Sequence, residues 1–244
     1  MAEYDLPVVV MAGGEGTRLR PLTLTTPKPM IPVGETTLAD LMMDEFSRIG
    51  CKRFYLSLNY HADQIEEFYT KHNPRGRDYV FFREDKPLGS GGPLSLIKDK
   101  LNSTFIVGSC DIVLDRELDF RKVVDYHRAA KNEVTVVVAL KHHHLTYGNM
   151  VVDAEGQLVR MEEKPTYTFR INTAIYVFEP NVLEALPYNE YTPITSLIDS
   201  VIQRRGRVGC YEIEYDKWRD VGTWEDYNWL KEKYDTDICD FGGI

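Results

Sequence analysis

The chain has 244 residues, 43% of them apolar, and a formal net charge of −9. That length suits one large domain or two small ones, and the apolar share can fill a substantial core, which excludes a disordered tail. The acidic balance argues against nucleic acid as the main partner, although local basic residues can still bind phosphate ligands.

A β-rich run, Leu6–Met11, opens the chain and ends in glycines. Leu38, Leu41, Met42, Phe46 and Ile49 then recur at helical spacing. Arg53–Leu58 reads as a strand, Ala62–Lys71 as a helix, Tyr79–Phe82 as a strand and Ser95–Lys100 as a helix. Thr104–Val107 is the next expected strand, Leu118–Ala130 a helix and Val134–Leu140 a strand. This alternation predicts an α/β fold, Rossmann-like, with a mixed, mostly parallel central sheet and helices on both faces. From about Tyr147 strands follow one another closely (Asn149–Val152, Leu158–Glu162, Ala174–Phe178), and helices return at Thr195–Gln203 and Trp224–Lys233. One domain over 1–235 is expected, with a first lobe over about 1–145, a second over about 146–235, and a loosely attached tail over 236–244.

No apolar stretch follows a basic amino-terminal segment, and no run of eighteen apolar residues occurs, so a soluble cytoplasmic protein with no membrane partner is expected. Cys51, Cys110, Cys210 and Cys239 form no CxxC pair and read as reduced thiols. His142-His143-His144 cannot all face one metal on a strand, because neighbouring side chains point to opposite faces; a polar strand end is expected.

The most specific signal is Met11-Ala12-Gly13-Gly14-Glu15-Gly16-Thr17-Arg18-Leu19, followed by Pro21-Leu22-Thr23 and Pro27-Lys28-Pro29-Met30. A strand running into three glycines makes a loop whose N–H groups can approach phosphate oxygens without interference from a Cβ. Arg18 and Lys28 add positive charge suited to a triphosphate. A Walker A loop would need Lys-Ser/Thr after its last glycine, and a dinucleotide fingerprint would need glycine at Leu19; neither is present.

This string resembles the signature of the sugar-1-phosphate nucleotidylyltransferases, the sugar-nucleotide pyrophosphorylases. The resemblance continues through Glu84-Asp85-Lys86-Pro87-Leu88-Gly89, Asp111, Tyr147-Gly148, Glu163-Lys164-Pro165 and Asn172 to Trp218-x-Asp220-x-Gly222 and Glu225-Asp226-Tyr227. It covers the chain to about Tyr234 and is similar to bacterial guanylyltransferases acting on mannose-, heptose- or glucosamine-type 1-phosphates. It implies transfer of a nucleotidyl group, GMP from GTP, to a sugar 1-phosphate with release of pyrophosphate. Ala12, Gly13, Gly14, Gly16, Thr17, Glu84 and Gly89 would then bind the nucleotide, with Arg18, Lys28 and Asp111 catalytic. Gly148, Glu163, Lys164 and Asn172 would bind the sugar phosphate, Glu163 at hydroxyls and Lys164 at the phosphate. The implied cofactor is Mg²⁺ on Asp111 and Asp220, since this ion favours few protein oxygens plus substrate phosphates. No nucleic acid is implied, and homo-oligomerisation is left open.

Considered without the resemblance, Asp111 would be an ordinary turn residue, and Glu162-Glu163-Lys164 a solvated strand end. Two departures stand out: Ser109-Cys110 where the family usually has Asn-Gly, and Asn172-Thr173-Ala174 where Asn-Ala-Gly is common. Glu84 opens the stretch that resembles the base-reading loop. An ionised carboxylate only accepts hydrogen bonds, and guanine alone presents two adjacent donors, N1–H and the N2 amino group, so GTP is the expected donor. Relatives using uridine or thymidine triphosphates tend to carry glutamine there, and a UTP, CTP or dTTP enzyme is the near alternative. A non-catalytic sensor of nucleotide sugars is a second alternative, though such chains typically lose residues of the Arg18, Lys28 or Asp111 type. A glycosyltransferase would show an Asp-x-Asp motif, which Asp111-Ile112-Val113 lacks.

Overall fold

The computed structural model describes residues 4–239, with side chains through residue 234. The first strand, β1 (Val8–Met11), is an unbroken apolar run, which suits a strand covered on both faces. Three short 3-10 turns follow, then the small hairpin of β2 (Pro32–Val33) and β3 (Thr36–Thr37) that leads into α1 (Leu38–Ile49). Thr37 caps α1 by accepting the Asp40 N–H at 3.3 Å, and Gly50 ends it in the left-handed conformation (φ 116°). Next come β4 (Arg53–Leu58), α2 (Ala62–Lys71), β5 (Asp78–Arg83), β6 (Phe105–Ser109), β7 (Ile112–Leu114) and α3 (Phe120–Ala129). The second half contains β8 (Val134–His144), β9 (Asn149–Val152), β10 (Leu158–Glu162), β11 (Thr166–Phe178), α4 (Ile194–Gln203), β12 (Val208–Glu214), β13 (Trp218–Asp220) and α5 (Trp224–Cys239).

Among the described residues, seven strands form the central sheet in the order β12-β8-β11-β6-β1-β4-β5. Only β11 runs antiparallel to its neighbours, so the sheet is mixed and mostly parallel, as expected. Alternate residues of β1 feed two cores. Val8 and Val10 pack with Met42, Phe46 and Phe120 on the α1/α3 face, while Val9 joins Leu94, Phe105 and Leu197 on the α4 face. Each such valine, fully buried, contributes roughly 1.5–3 kcal/mol of transfer free energy. A third cluster, including Leu19, Leu38, Val221 and Leu230, fastens α5 beneath the glycine-rich turn.

The structure departs from expectation in a few places. Ser95–Lys100 is not an α-helix; two 3-10 pieces, Gly92–Leu96 and Lys98–Lys100, occupy that stretch. Gly91, Gly92 and Pro93 leave too little uninterrupted chain for an α-helix to propagate. The strand expected at Ala174–Phe178 is the end of a longer one, and β12 was not anticipated. The helix expected over Trp224–Lys233 continues to Cys239, through the first part of the expected tail; residues 240–244 lie outside the described residues. The histidine run is a polar strand end: His142 and His144 share hydrogen bonds with Thr168 (2.8 Å) and Thr166 (3.1 Å) on β11. Cys51, Cys110 and Cys210 are free thiols, and the Cys239 side chain lies outside the described residues. Among the described residues, no helix is long and apolar enough to cross a membrane.

Candidate active site

Strands β5, β4, β1 and β6 are parallel neighbours, so their carboxyl ends open on one side of the sheet. The chain moves from β1 to β4 on one flank and returns to β6 on the other. The loops after β1 and β6 therefore diverge and leave a crevice, where open α/β sheets bind ligands. A cleft of about 520 Å³ lies there. Gly13, Gly14, Gly16, Thr17, Arg18, Lys28, Glu84, Gly89 and Asp111 all line it, although they come from four separate stretches of chain. Ala12 lies beneath them, buried, with its N–H donating to the Ser57 carbonyl at 3.1 Å.

Asp111 sits in the two-residue turn between β6 and β7. The Lys28 ammonium donates to its Oδ2, and the Ser109 hydroxyl donates to its Oδ1. Lys28 is itself buried, so this pair keeps a desolvated cation matched to an anion. Strand β13 pairs antiparallel with β7, placing Asp220 opposite Ile112, and the Val221 N–H donates to the Asp111 carbonyl at 2.9 Å. Burial, then the Asp111 charge, raises Asp220 above the ordinary aspartate range, against the lowering pull of Lys28 and Arg18. Asp220 Oδ1 is buried without a hydrogen-bond partner. A buried carboxylate oxygen without a partner, beside a second carboxylate, is a costly arrangement that a cation would relieve, and the donors are the hard oxygens that Mg²⁺ and Ca²⁺ prefer. Among the described residues no group of three or more His, Cys, Asp or Glu gathers as a metal site.

Glu84 follows β5 and faces the glycine-rich loop: a Cβ on Gly13 would lie 2.8 Å from its Oε1. Its Oε1 accepts the Ser57 hydroxyl at 2.8 Å and its Oε2 accepts the Leu88 N–H at 3.0 Å. Asn59 Nδ2 donates to the Glu84 carbonyl at 3.0 Å. Burial raises the Glu84 carboxyl above the ordinary range, while the Leu88 and Ser57 bonds oppose the shift. Ser57 and Asn59 escaped the sequence reading, yet both lie at the end of the neighbouring strand β4, the place such a fold brings to the same crevice. The departure at Cys110 places the residue in the α1/α3 core while it borders the cleft; burial and the Asp111 charge push its thiol up to about 12, where it stays protonated.

The four residues expected at the sugar phosphate do not line this cleft. Gly148 precedes β9, and Glu163 and Lys164 follow β10, with Glu162 and Asn149 paired between them. Glu163 Oε2 comes within 3.4 Å of a Cβ placed on Gly148, so these two share one end of the hairpin. Asn172 stands at a bulge in β11, where its Oδ1 accepts the Ala174 N–H at 3.1 Å and its Nδ2 donates to the Tyr176 hydroxyl at 2.8 Å. Ala174 holds φ 59°, the left-handed region that favours glycine, at the position where the family commonly has one. Trp218 Nε1–H donates to the Thr173 carbonyl at 3.0 Å and ties this bulge to β13, two residues from Asp220.

A family model described as nucleotidyl transferase matches residues 7–237. The catalytic subunit beta of mannose-1-phosphate guanylyltransferase from Drosophila pseudoobscura pseudoobscura is 31% identical over 225 residues, 90% of this chain and 60% of that protein. Mannose-1-phosphate guanylyltransferase from Mycobacterium tuberculosis is 29% identical over 231 residues, covering 93% and 64% respectively. The chain thus spans less than two thirds of the length of these curated relatives. The crystal structure of HddC from Yersinia pseudotuberculosis superposes with a TM-score of 0.72 at 27% identity, covering 94% of this chain and 99% of HddC. A second HddC structure, complexed with GMP-PN, superposes with a TM-score of 0.71. The motif resemblance and these likenesses agree, and the chain belongs to the nucleotidyl transferase family.

Proposed function

We propose that this protein transfers GMP from GTP to a sugar 1-phosphate, releasing pyrophosphate and forming a GDP-sugar. The observation that carries the reading is the convergence of Arg18, Lys28, Glu84 and Asp111 with the glycine-rich turn on one cleft at the carboxyl ends of parallel strands. The similarity to mannose-1-phosphate guanylyltransferases and to a structure holding GMP-PN supports guanylyl transfer in particular.

The chemistry asks little of the protein beyond placement. The acceptor phosphate, with a second pKa of about 6, is already largely ionised at neutral pH, so no general base is needed. Its oxygen forms a bond to the α-phosphorus while the bond from that phosphorus to the β-phosphate oxygen breaks in line, and pyrophosphate leaves. The backbone N–H groups of Gly13–Thr17 and the Arg18 guanidinium hold the triphosphate; Lys28 supplies positive charge beside Asp111. Glu84 would read the guanine edge, since its carboxylate oxygens keep lone pairs beyond those taken by Ser57 and Leu88. Gly148, Glu163, Lys164 and Asn172 would seat the sugar phosphate, which assigns the nucleotide to the lobe of about 1–145 and the acceptor to the lobe of about 146–235. Asp111 and Asp220 would hold the divalent cation, Mg²⁺ in this reading, which when bound offsets phosphate charge. The orphaned Asp220 Oδ1 supports that pairing. We place the reaction in the cytoplasm, a compartment where free thiols such as Cys51 and Cys210 persist.

The test is a pyrophosphate-release screen of four nucleoside triphosphates against a panel of sugar 1-phosphates. GTP with one sugar 1-phosphate should give the highest kcat/KM. Tight nucleotide-sugar binding without any turnover would replace this reading with the sensor alternative.

A further inference from the structure

Segment 218–224 reaches three parts of the site through its backbone and its tryptophans. Trp218 bonds the β11 bulge, the Val221 N–H bonds the Asp111 carbonyl, and Trp224 Nε1–H donates to the Arg20 carbonyl at 3.1 Å. Between Val221 and Trp224 lies Gly222, buried at the edge of the cleft. A Cβ at Gly222 would fall 2.7 Å from Arg18 Nη2 and 2.9 Å from both Cζ and Nη1. Three near-equal distances mean that the guanidinium lies face-on over the glycine. Gly222 does not have a positive φ, so its backbone conformation is open to any residue. The empty space above its Cα, and not its backbone freedom, is what the structure uses.

We propose that Gly222 is a positioning residue for Arg18: the missing side chain provides the shelf on which the guanidinium lies over the cleft, at the height where the triphosphate meets it. The proposal rests on the nucleotidyl-transfer reading for the role of Arg18. Any side chain at 222 would lift or swing the guanidinium away. Because the atoms in its way are the far end of a flexible side chain, the displacement costs binding and leaves the fold intact. The carboxy-terminal Asp220-Val221-Gly222 stretch thereby couples to the amino-terminal loop through shape, in addition to presenting Asp220.

The test compares wild type with Gly222→Ala, Arg18→Ala and the double variant by thermal unfolding, by calorimetric titration with inorganic tripolyphosphate and with GTP, and by steady-state assay. Gly222→Ala should unfold within about 4 °C of wild type. It should bind tripolyphosphate and GTP about tenfold more weakly, the loss expected when a charge-assisted contact is misplaced. Its KM for the sugar 1-phosphate should stay within about twofold, and adding Gly222→Ala to Arg18→Ala should change triphosphate affinity by less than about twofold, since both act through one group. Unchanged triphosphate affinity in Gly222→Ala, or full additivity in the double variant, overturns the proposal. So does a Gly222→Ala protein that fails to fold, or a wild type that does not bind tripolyphosphate. A wild type that makes no product from any triphosphate would instead remove the nucleotidyl-transfer reading, while the tripolyphosphate titrations still decide the relation of Gly222 to Arg18.

Discussion

In the cleft at the ends of β1, β4, β5 and β6, three of the side chains proposed for the reaction are held by other side chains or by backbone. Lys28 is bonded to Asp111, Asp111 to Ser109, and Glu84 to Ser57 and Leu88. At the other end, Gly148, Glu163, Lys164 and Asn172 are all exposed, and three of them flank a hairpin that is not part of the main sheet. That hairpin pairs Met150 with Met161 and Val152 with Leu158 on one face, yet Met161 and Leu158 remain more than 60% exposed. The cleft is built where backbone direction is dictated by buried parallel strands, so Lys28, Asp111 and Glu84 are held in place by the fold itself. The hairpin end projects from the connection between β8 and β11, where an exposed side chain can change without disturbing a core.

The sharpest way to test the rigid end is Asp111→Asn, which should still fold, with lower stability because buried Lys28 loses its anion, and should reduce turnover by far more than tenfold. Turnover within about tenfold of wild type, a barrier change of only ~1.4 kcal/mol, would remove Asp111 from the chemistry. At the opposite, amino end of β5 a buried ionic cluster joins the strand to α1, where Arg77 bonds Asp40 at 2.5 Å and also pairs with Asp44. Arg77→Ala would leave Asp40 buried without its cation and should destabilise the protein by about 3 kcal/mol, read from denaturant unfolding. A loss below about 1 kcal/mol would show that the cluster is no better than a surface pair.

At the exposed end, Lys164→Ala should raise the KM for sugar 1-phosphate about tenfold with GTP affinity unchanged, as expected from losing one charge-assisted contact. If GTP affinity collapsed while the acceptor KM held, Lys164 would belong to the nucleotide end and the comparison would fail. Glu84→Gln should erode the preference for GTP over UTP by about tenfold, since a paired edge contact is worth roughly 1–3 kcal/mol. Burial raises the Glu84 carboxyl, so it takes up a proton at a higher pH than an exposed glutamate and then presents a donor to guanine's donors. The wild-type preference for GTP should therefore fade as pH falls through that raised value, and a pH-independent preference would count against Glu84 as the reader of the base. The smallest effect is expected at the bulge of β11, where Ala174→Gly should stabilise by about 1 kcal/mol by relieving a left-handed alanine. A destabilised variant would mean that unfolded-chain entropy outweighs that relief.

Much of the architecture was legible from local pattern. The apolar run of β1, the helical spacing of Leu38–Ile49 and the strand–glycine transition each report a local preference that the tertiary structure keeps. The glycine-rich side of the cleft was legible too, since a phosphate-binding turn needs glycines and cations close together in the chain. Ser57 and Asn59 were not, because a polar residue at a strand end has no local signature until the neighbouring strand is known. The strand β12 was missed because parallel pairing with β8 at the sheet edge leaves no hairpin signal.

The sequence by itself determined the class of fold and the family, because hydrophobic period and loop composition act within a few residues of themselves. Only the tertiary structure decided that Lys28 meets Asp111 across 83 residues, that Asp220 is left with a buried, unpartnered oxygen, and that Gly222 lies under Arg18. Those are relations of packing between the turns that follow β1 and β6 and the segment of β13, and strand order is set by the global burial of two apolar faces, which no single stretch of chain encodes.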